Sequence, residues 1–326
     1  MKEVAFETIL ASLTNPEAAL PERYFSRLSD LSLAEVRAFT AHWPQIPLKR
    51  QRTLLRQLQE HFDTDTLLSY EALAVPLLAD PDAEVRTLAL RLLEETMDAR
   101  LIPTLTGLLK NDPEPEVRAR AAIVLGQFVR LGEMEELPLA KRGLVEEALI
   151  EAARHETAVV ARAALEALGY SGRAEVDELI SAAFKHADPL WQATALFAAG
   201  RSADARWQEQ ILNGLLSEDA PVRLAAATSA GELELKTARK MLIEMLEDED
   251  DDDVFQAVIW SLSQIGGEDV RTYLEALLAE AVDDEQIEFI EEALVNLSFT
   301  EDLEQFDLLA VDPDELDEVD DEADED

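Results

Sequence analysis

Few residues in this chain are equipped for chemistry. Four histidines (His42, His61, His155 and His186) are spread over 326 residues, and cysteine is absent. A thiolate nucleophile, a thiolate metal site and a disulfide are therefore excluded. The histidines are too few and too scattered for a His-rich metal centre. Only His155 is followed by a carboxylate, Glu156; the others precede Trp43, Phe62 and Ala187. Carboxylates are plentiful, and Glu247-Asp248-Glu249-Asp250-Asp251-Asp252-Asp253 is an unbroken acidic run. Oxygen ligands in such a run can hold a divalent cation, but the EF-hand spacing and its glycine are missing. The run reads instead as a solvated turn whose last carboxylates favour the start of the next helix. No P-loop, G-x-S-x-G, H-E-x-x-H or G-x-G-x-x-G is present. No catalytic residue, metal or cofactor is expected, and the chemistry left is that of a binding surface.

The elements that carry this surface are legible as a repeat. Glycine is scarce, and Ala, Leu, Glu and Arg dominate, which is helix-forming composition. The pattern Val-Arg-x-x-Ala-x-x-x-Leu-Gly occurs as Val117-Arg118, Ala121, Leu125-Gly126 and again as Val222-Arg223, Ala226, Ala230-Gly231. Partial copies start at Val85, Val160, Trp191, Val254 and Phe289, so seven anchors are spaced 31 to 35 residues apart, and once 43. Offsets 0, 4 and 8 fall within about 80° on a helix and form one core stripe. Glycine at offset 9 is expected to end the helix in the left-handed conformation. Asp80-Pro81, Asp112-Pro113 and Asp188-Pro189 precede three anchors, and predict an Asp cap with Pro in the first turn. A second helix precedes each of the last six anchors: 101–110, 144–154, 176–185, 207–216, 238–246 and 270–279. The arginines at offset 1 (Arg86, Arg118 and Arg223) are expected to bridge to loop Asp residues of their own or the adjacent repeat.

The Asp-Pro, Val-Arg, Ala, Leu-Gly pattern resembles HEAT repeats, in particular the short kind named after phycobilisome-lyase subunits, over about residues 66–298. The resemblance implies an all-α fold, a right-handed α-solenoid superhelix of about seven helical hairpins with a concave binding surface. It implies protein binding by a non-enzymatic scaffold or adaptor. A phycobilin-lyase-like or chaperone-like subunit acting on a cofactor-bearing client is the alternative. A second alternative, the HEAT-like iron oxygenase deoxyhypusine hydroxylase, needs several His-Glu pairs on successive helices, and only His155-Glu156 matches.

Residues 1–65 lack the anchor and predict a helical N-terminal cap, with helices over 6–13, 22–28, 33–43 and 48–62 and a capping box at Ser32 and Glu35. Residues 66–300 are the repeats, with an insertion at about 131–143 that reads as an elongated turn with a longer helix. Residues 301–326 hold 15 acidic residues and no basic one, and predict a largely disordered tail. The net charge of −42 is graded: −2 over residues 1–75, −8 over 76–240 and −32 over 241–326. Nucleic acid is repelled by the last quarter, and a basic protein partner is favoured. Lys49, Arg50, Arg52 and Arg56 make one local basic helix, suited to an acidic partner, to the chain's own tail or simply to solvent. No signal core or membrane span is apparent, which predicts a cytoplasmic monomer.

Offsets 2 and 6 point away from the core stripe. From these positions Arg91, Ile123, Arg162, Phe197, Leu224, Gln256 and Trp260 are the candidate protein-binding residues. Phe197 and Trp260 are large aromatics on a face expected to be exposed, the residue type that anchors partners.

Overall fold

The computed structural model describes residues 4–15, 20–65 and 67–309, with side chains as far as Asp302. Every element among them is helical. The chain divides into two compact units, Met1–Leu179 and Ile180–Asp326.

The first unit holds α1 (Phe6–Thr14), α2 (Arg23–Leu28), α3 (Leu33–His42), α4 (Leu48–Thr64), α5 (Glu71–Ala74), α6 (Ala83–Arg91), α7 (Ile102–Asn111), α8 (Pro115–Glu133), α9 (Leu139–His155) and α10 (Ala158–Ala167). Helices α2, α4, α6, α8 and α10 pack in that order into one layer. In the other layer α1 packs on α3, α3 on α5, and α7 on α9. The first four helices thus continue both layers although they carry no Val-Arg anchor. The 43-residue spacing is taken up by lengthening α8 and α9 to 19 and 17 residues.

The capping box predicted for α3 is present. Ser32 Oγ accepts from the Glu35 N–H at 3.4 Å, and Glu35 accepts from the Ser32 N–H at 2.9 Å. Hydrogen bonds from the Ser32 hydroxyl and from Arg27 lower the Glu35 carboxyl from its ordinary 4.5 to about 2. A carboxyl depressed on folding stabilises fully above pH 4.5, and that contribution is lost as pH falls toward 2. Glu35→Gln is expected to flatten the acid dependence of stability across this window, read as urea midpoints by circular dichroism. An unchanged slope would count against the cap as an acid-sensitive point.

The division between the units falls within α11 (Ala174–Phe184). The second unit continues with α12 (Pro189–Arg201), α13 (Gln208–Gly214), α14 (Ala220–Glu232), α15 (Arg239–Met245), α16 (Asp252–Ile265), α17 (Glu268–Glu280) and α18 (Asp284–Leu309). Helices α12, α14, α16 and α18 pack side by side, with α13, α15 and α17 each against the helix that follows. Helix α18 takes in residues 301–309, which the sequence assigns to the tail. The rest of that tail, 310–326, lies outside the described residues.

The core is the expected stripe. Val85, Val117, Val160, Val222 and Val254 are buried, as are Ala89, Ala121, Ala164, Ala195 and Ala226 four residues after their anchors. Two anchors depart from it. Trp191 is half-buried, its ring 5.5 Å from that of His186 in the preceding loop. Phe289 is half-buried beside Phe255, and Ile290 takes the fully buried place.

The glycines differ from expectation in a physically informative way. Among the described glycines only Gly266 and Gly267 have positive φ. Gly126, Gly200 and Gly231 lie inside α8, α12 and α14, and Gly169 follows α10 without a left-handed backbone. The role of the three inside helices is close approach. A Cβ on Gly126 would stand 3.1 Å from Cα of Ala167 in α10; one on Gly231 would stand 2.8 Å from Cα of Ser261 in α16. The left-handed turn comes three residues later, at Ala203 (φ 51°) and Glu234 (φ 46°).

The Asp-Pro caps also need correction. Asp188 does cap α12, accepting from the Leu190 N–H at 3.0 Å with Pro189 at the first position. Helices α6 and α8 instead start after Asp82 and Glu114. Asp80 and Asp112 accept the N–H groups of Asp82 and Glu114 at 2.9 and 3.0 Å, tying the loops rather than the helices. The shift leaves their remaining oxygens for neighbouring side chains, Trp43 Nε1 in the case of Asp80 (2.7 Å).

Candidate partner-binding surface

The layers are held in register by the Val-Arg arginine. Arg86 donates through Nε and Nη2 to both carboxylate oxygens of Asp112 at 2.8 Å, and through Nη1 to the Asp80 and Pro81 carbonyls at 2.8 and 3.2 Å. It therefore closes its own loop and the next one together. Arg223 repeats the device, with Glu249 at 2.7 Å and the Ser217 and Glu218 carbonyls at 3.0 Å. Arg118 bonds the Asp112 and Pro113 carbonyls and pairs with Glu156 at 3.0 Å. Its partner is 38 residues on, against 26 for the other two, because the lengthened α8 and α9 intervene. Where Gln192 replaces the arginine, its amide still donates to the carbonyl six residues back, that of His186.

These bonds decide several candidate features. His155 is exposed, and Glu156 beside it serves Arg118. The acidic run is not wholly solvated as predicted. The side chain of half-buried Glu249 is covered where it pairs with Arg223, whose guanidinium hydrogen bonds lower the carboxyl's pKa. Asp251 caps α16, accepting from the Val254 N–H at 3.1 Å. Among the described residues no group of three or more potential ligands could hold a metal ion.

The basic helix is largely committed inside the fold. Arg52 binds Asp82 through two nitrogens, at 3.1 and 2.6 Å, and reaches Glu84 at 2.7 Å. Arg56 also pairs with Glu84, and Arg50 donates to the Ser12 carbonyl at 3.0 Å. The Asp82 carboxyl is held below its ordinary range by the Arg52 hydrogen bonds. The predicted cationic face of α4 is thus mostly answered by the first turn of α6, leaving Lys49 exposed.

The surface candidates fall in both units. In the first, Arg91 and Ile123 are exposed and Arg162 is half-buried. In the second, Phe197 and Leu224 are half-buried, while Gln256 and Trp260 are exposed one turn apart on α16. Trp260 keeps 37% of its surface in water. On α18, which packs on α16, Val295 and Phe299 are 71% and 64% exposed and also one turn apart. The candidate set omitted Phe299, although extending the Val295 stripe by four residues reaches it. It also omitted Phe255 and Phe289, which with Gln256 line a 390 Å³ groove between α16 and α18. Phe255 carries no periodic signal, since it stands next to a core anchor. No described helix is long and apolar enough to cross a membrane.

A solved structure shares this architecture. The complex of CpcE and CpcF of phycocyanin lyase from Nostoc aligns over 91% of this chain and 96% of its own, with 16% identity and a TM-score of 0.52. At that identity the likeness is one of fold. YibA of E. coli aligns over 87% of this chain and 99% of its own, at 17% identity and TM-score 0.41. Human deoxyhypusine hydroxylase aligns over 80% and 95%, at 18% identity and TM-score 0.35. No curated protein gives a significant sequence match. The family model for HEAT repeats matches residues 71–148 and 208–294, just over half of the sequence. With paired helices packed in layers in each unit and a match of this extent, the chain belongs to the HEAT-repeat family.

Proposed function

We propose that the protein is a non-enzymatic interaction scaffold that binds a protein partner on the exposed face of the layer formed by its anchor helices. The observation that carries this reading is the exposed apolar stripe of α16 and α18. Trp260, Val295 and Phe299 stand in water on helices whose opposite faces are fully packed. Helices with an apolar face on both sides leave one for a partner. Arg91, Ile123 and Arg162 form the corresponding set in the first unit, and Phe197, Leu224 and Gln256 complete that of the second.

The test is affinity capture from the native cell with mass spectrometry, repeated with a Phe197→Ala/Trp260→Ala variant. Loss of two aromatic anchors is expected to weaken the captured complex by about thirtyfold or more. Trp260→Ala alone, at an exposed site, is expected to leave melting nearly unchanged while lowering recovery. Unchanged recovery with both variants would overturn the reading.

A lyase-like role on a cofactor-bearing client is the second reading, supported by the fold likeness to the CpcE–CpcF complex. Coexpression with a bilin separates the two: copurifying tetrapyrrole absorbance supports the lyase-like role, and its absence supports the scaffold.

A further inference from the structure

The groove between α16 and α18 has a specific chemistry. Its floor carries the half-buried rings of Phe255 and Phe289, and its rim carries the carboxylates of Asp252, Asp283 and Glu285. Asp283 is occupied in part, accepting from the Glu285 and Gln286 N–H groups at 3.1 and 3.2 Å. Among the described residues no basic side chain pairs with any of the three. Residues 241–326 contain one basic residue, Arg271, and it is bound to Glu301 at 2.5 Å. With no base paired to it, this rim is left negative. No three of its carboxylates converge closely enough for a metal ion. An extended cation on a long apolar stem fits instead. Its methylenes can lie on the phenyl rings, its charge can face a ring, and its N–H groups can reach the rim. Arginine does this best, being planar and always charged.

We propose that the partner docks here as a basic amphipathic helix, one arginine or lysine entering the groove and its apolar side lying along Trp260 and Val295. The proposal rests on the scaffold reading and gives the partner its chemistry. Gln256 sits at the groove and Trp260 one turn further along α16, so groove and stripe are continuous.

A fluorescein-labelled eighteen-residue peptide of leucine, lysine and arginine in helical register is the probe. The full chain is titrated into it and anisotropy is read at low and high salt. Binding that weakens with salt is expected, since the rim is exposed. Asp252→Lys/Glu285→Lys is expected to weaken it about tenfold or more, by placing like charges at the groove. Both residues are exposed and neither is the cap of its helix, those being Asp251 and Asp283, so the fold should hold. Glu60→Lys/Glu116→Lys changes net charge equally in the first unit and should leave binding within about twofold. No binding by the wild-type chain overturns the proposal. So does an equal loss in the two double variants, which would mean diffuse attraction to an acidic protein, or equal binding of the same peptide with glutamate in place of its basic residues. A captured cellular partner that depends on Trp260 but ignores Asp252→Lys/Glu285→Lys defeats this proposal and leaves the scaffold standing. Capture indifferent to Trp260 defeats the scaffold reading itself.

Discussion

Replacing Arg86 by alanine is expected to destabilise the first unit by about 3–5 kcal/mol. The side chains of Arg86 and Asp112 keep only 9% and 5% of their surface exposed. Truncating the arginine strips the Asp112 carboxylate of two charge-assisted hydrogen bonds at 2.8 Å and leaves it buried. The Asp80 and Pro81 carbonyls lose their donor in the same step. The cost lies in the stranded groups rather than in the value of the pair, so the more buried and more doubly bonded pair should cost more. Arg223 is 20% exposed over a 4% exposed Glu249 and also binds it through two nitrogens. Arg118 is 13% exposed, but its Glu156 is 26% exposed and held by one bond. The expected order of loss is Arg86, then Arg223, then Arg118, measured as urea unfolding of each alanine variant. Arg86→Lys should recover part of the loss, because an ammonium reaches the carboxylate but cannot copy the fork. A change below about 1 kcal/mol for Arg86→Ala would refute the account, since that is the scale of an exposed pair.

How far this was legible in the sequence depends on which physical term decided each position. The bridging role of Arg86, Arg118 and Arg223 followed from their place beside a core anchor, although only Arg86 meets the expected Asp and the other two meet Glu156 and Glu249. The capping box at Ser32 and Glu35 followed from local spacing alone, because all its atoms lie within one turn. Helix existence was readable at every anchor, since burial of one stripe repeats with the helical period, but α5 at Glu71–Ala74 was not, being a single turn too short to show that period. What escaped were the features set by a neighbouring helix. Phe289 and Ile290 are adjacent and both apolar, and only the packing of α18 on α16 selects which is buried. Asp80 and Asp112 look like caps, but each is drawn into its loop by a partner distant in sequence: Trp43 for one and Arg86 for the other. The groove was hidden for the same reason. Gln256 was singled out by its offset, whereas Phe255 and Phe289 acquire meaning only when two helices set them side by side.

The glycines carry this distinction to its most testable form. A helix-interior glycine replaced by alanine normally gains about 1 kcal/mol of helix propensity. Gly107 in α7 has nothing within 4 Å of the position a Cβ would take, so Gly107→Ala should deliver about that gain. Gly231 in α14 is the opposite case. Its Cβ would stand 2.8 Å from Cα of Ser261, a backbone atom that cannot rotate aside. Ser261 is itself pinned, its hydroxyl donating to the Ala227 carbonyl of α14 at 2.7 Å. To admit the methyl, α14 and α16 must separate, which loosens that bond and the packing of the two helices on each other. Overpacking of this kind costs about 1–3 kcal/mol, which outweighs the propensity gain. Gly231→Ala is therefore expected to lower stability by about 2 kcal/mol while Gly107→Ala raises it, both read as shifts in urea midpoint. If glycine were there to end the helix in a left-handed turn, Gly231 would need positive φ, and it has none. A stabilised Gly231→Ala variant would mean that the two helices have room to spare, and that close approach is not why glycine occupies this place in the repeat.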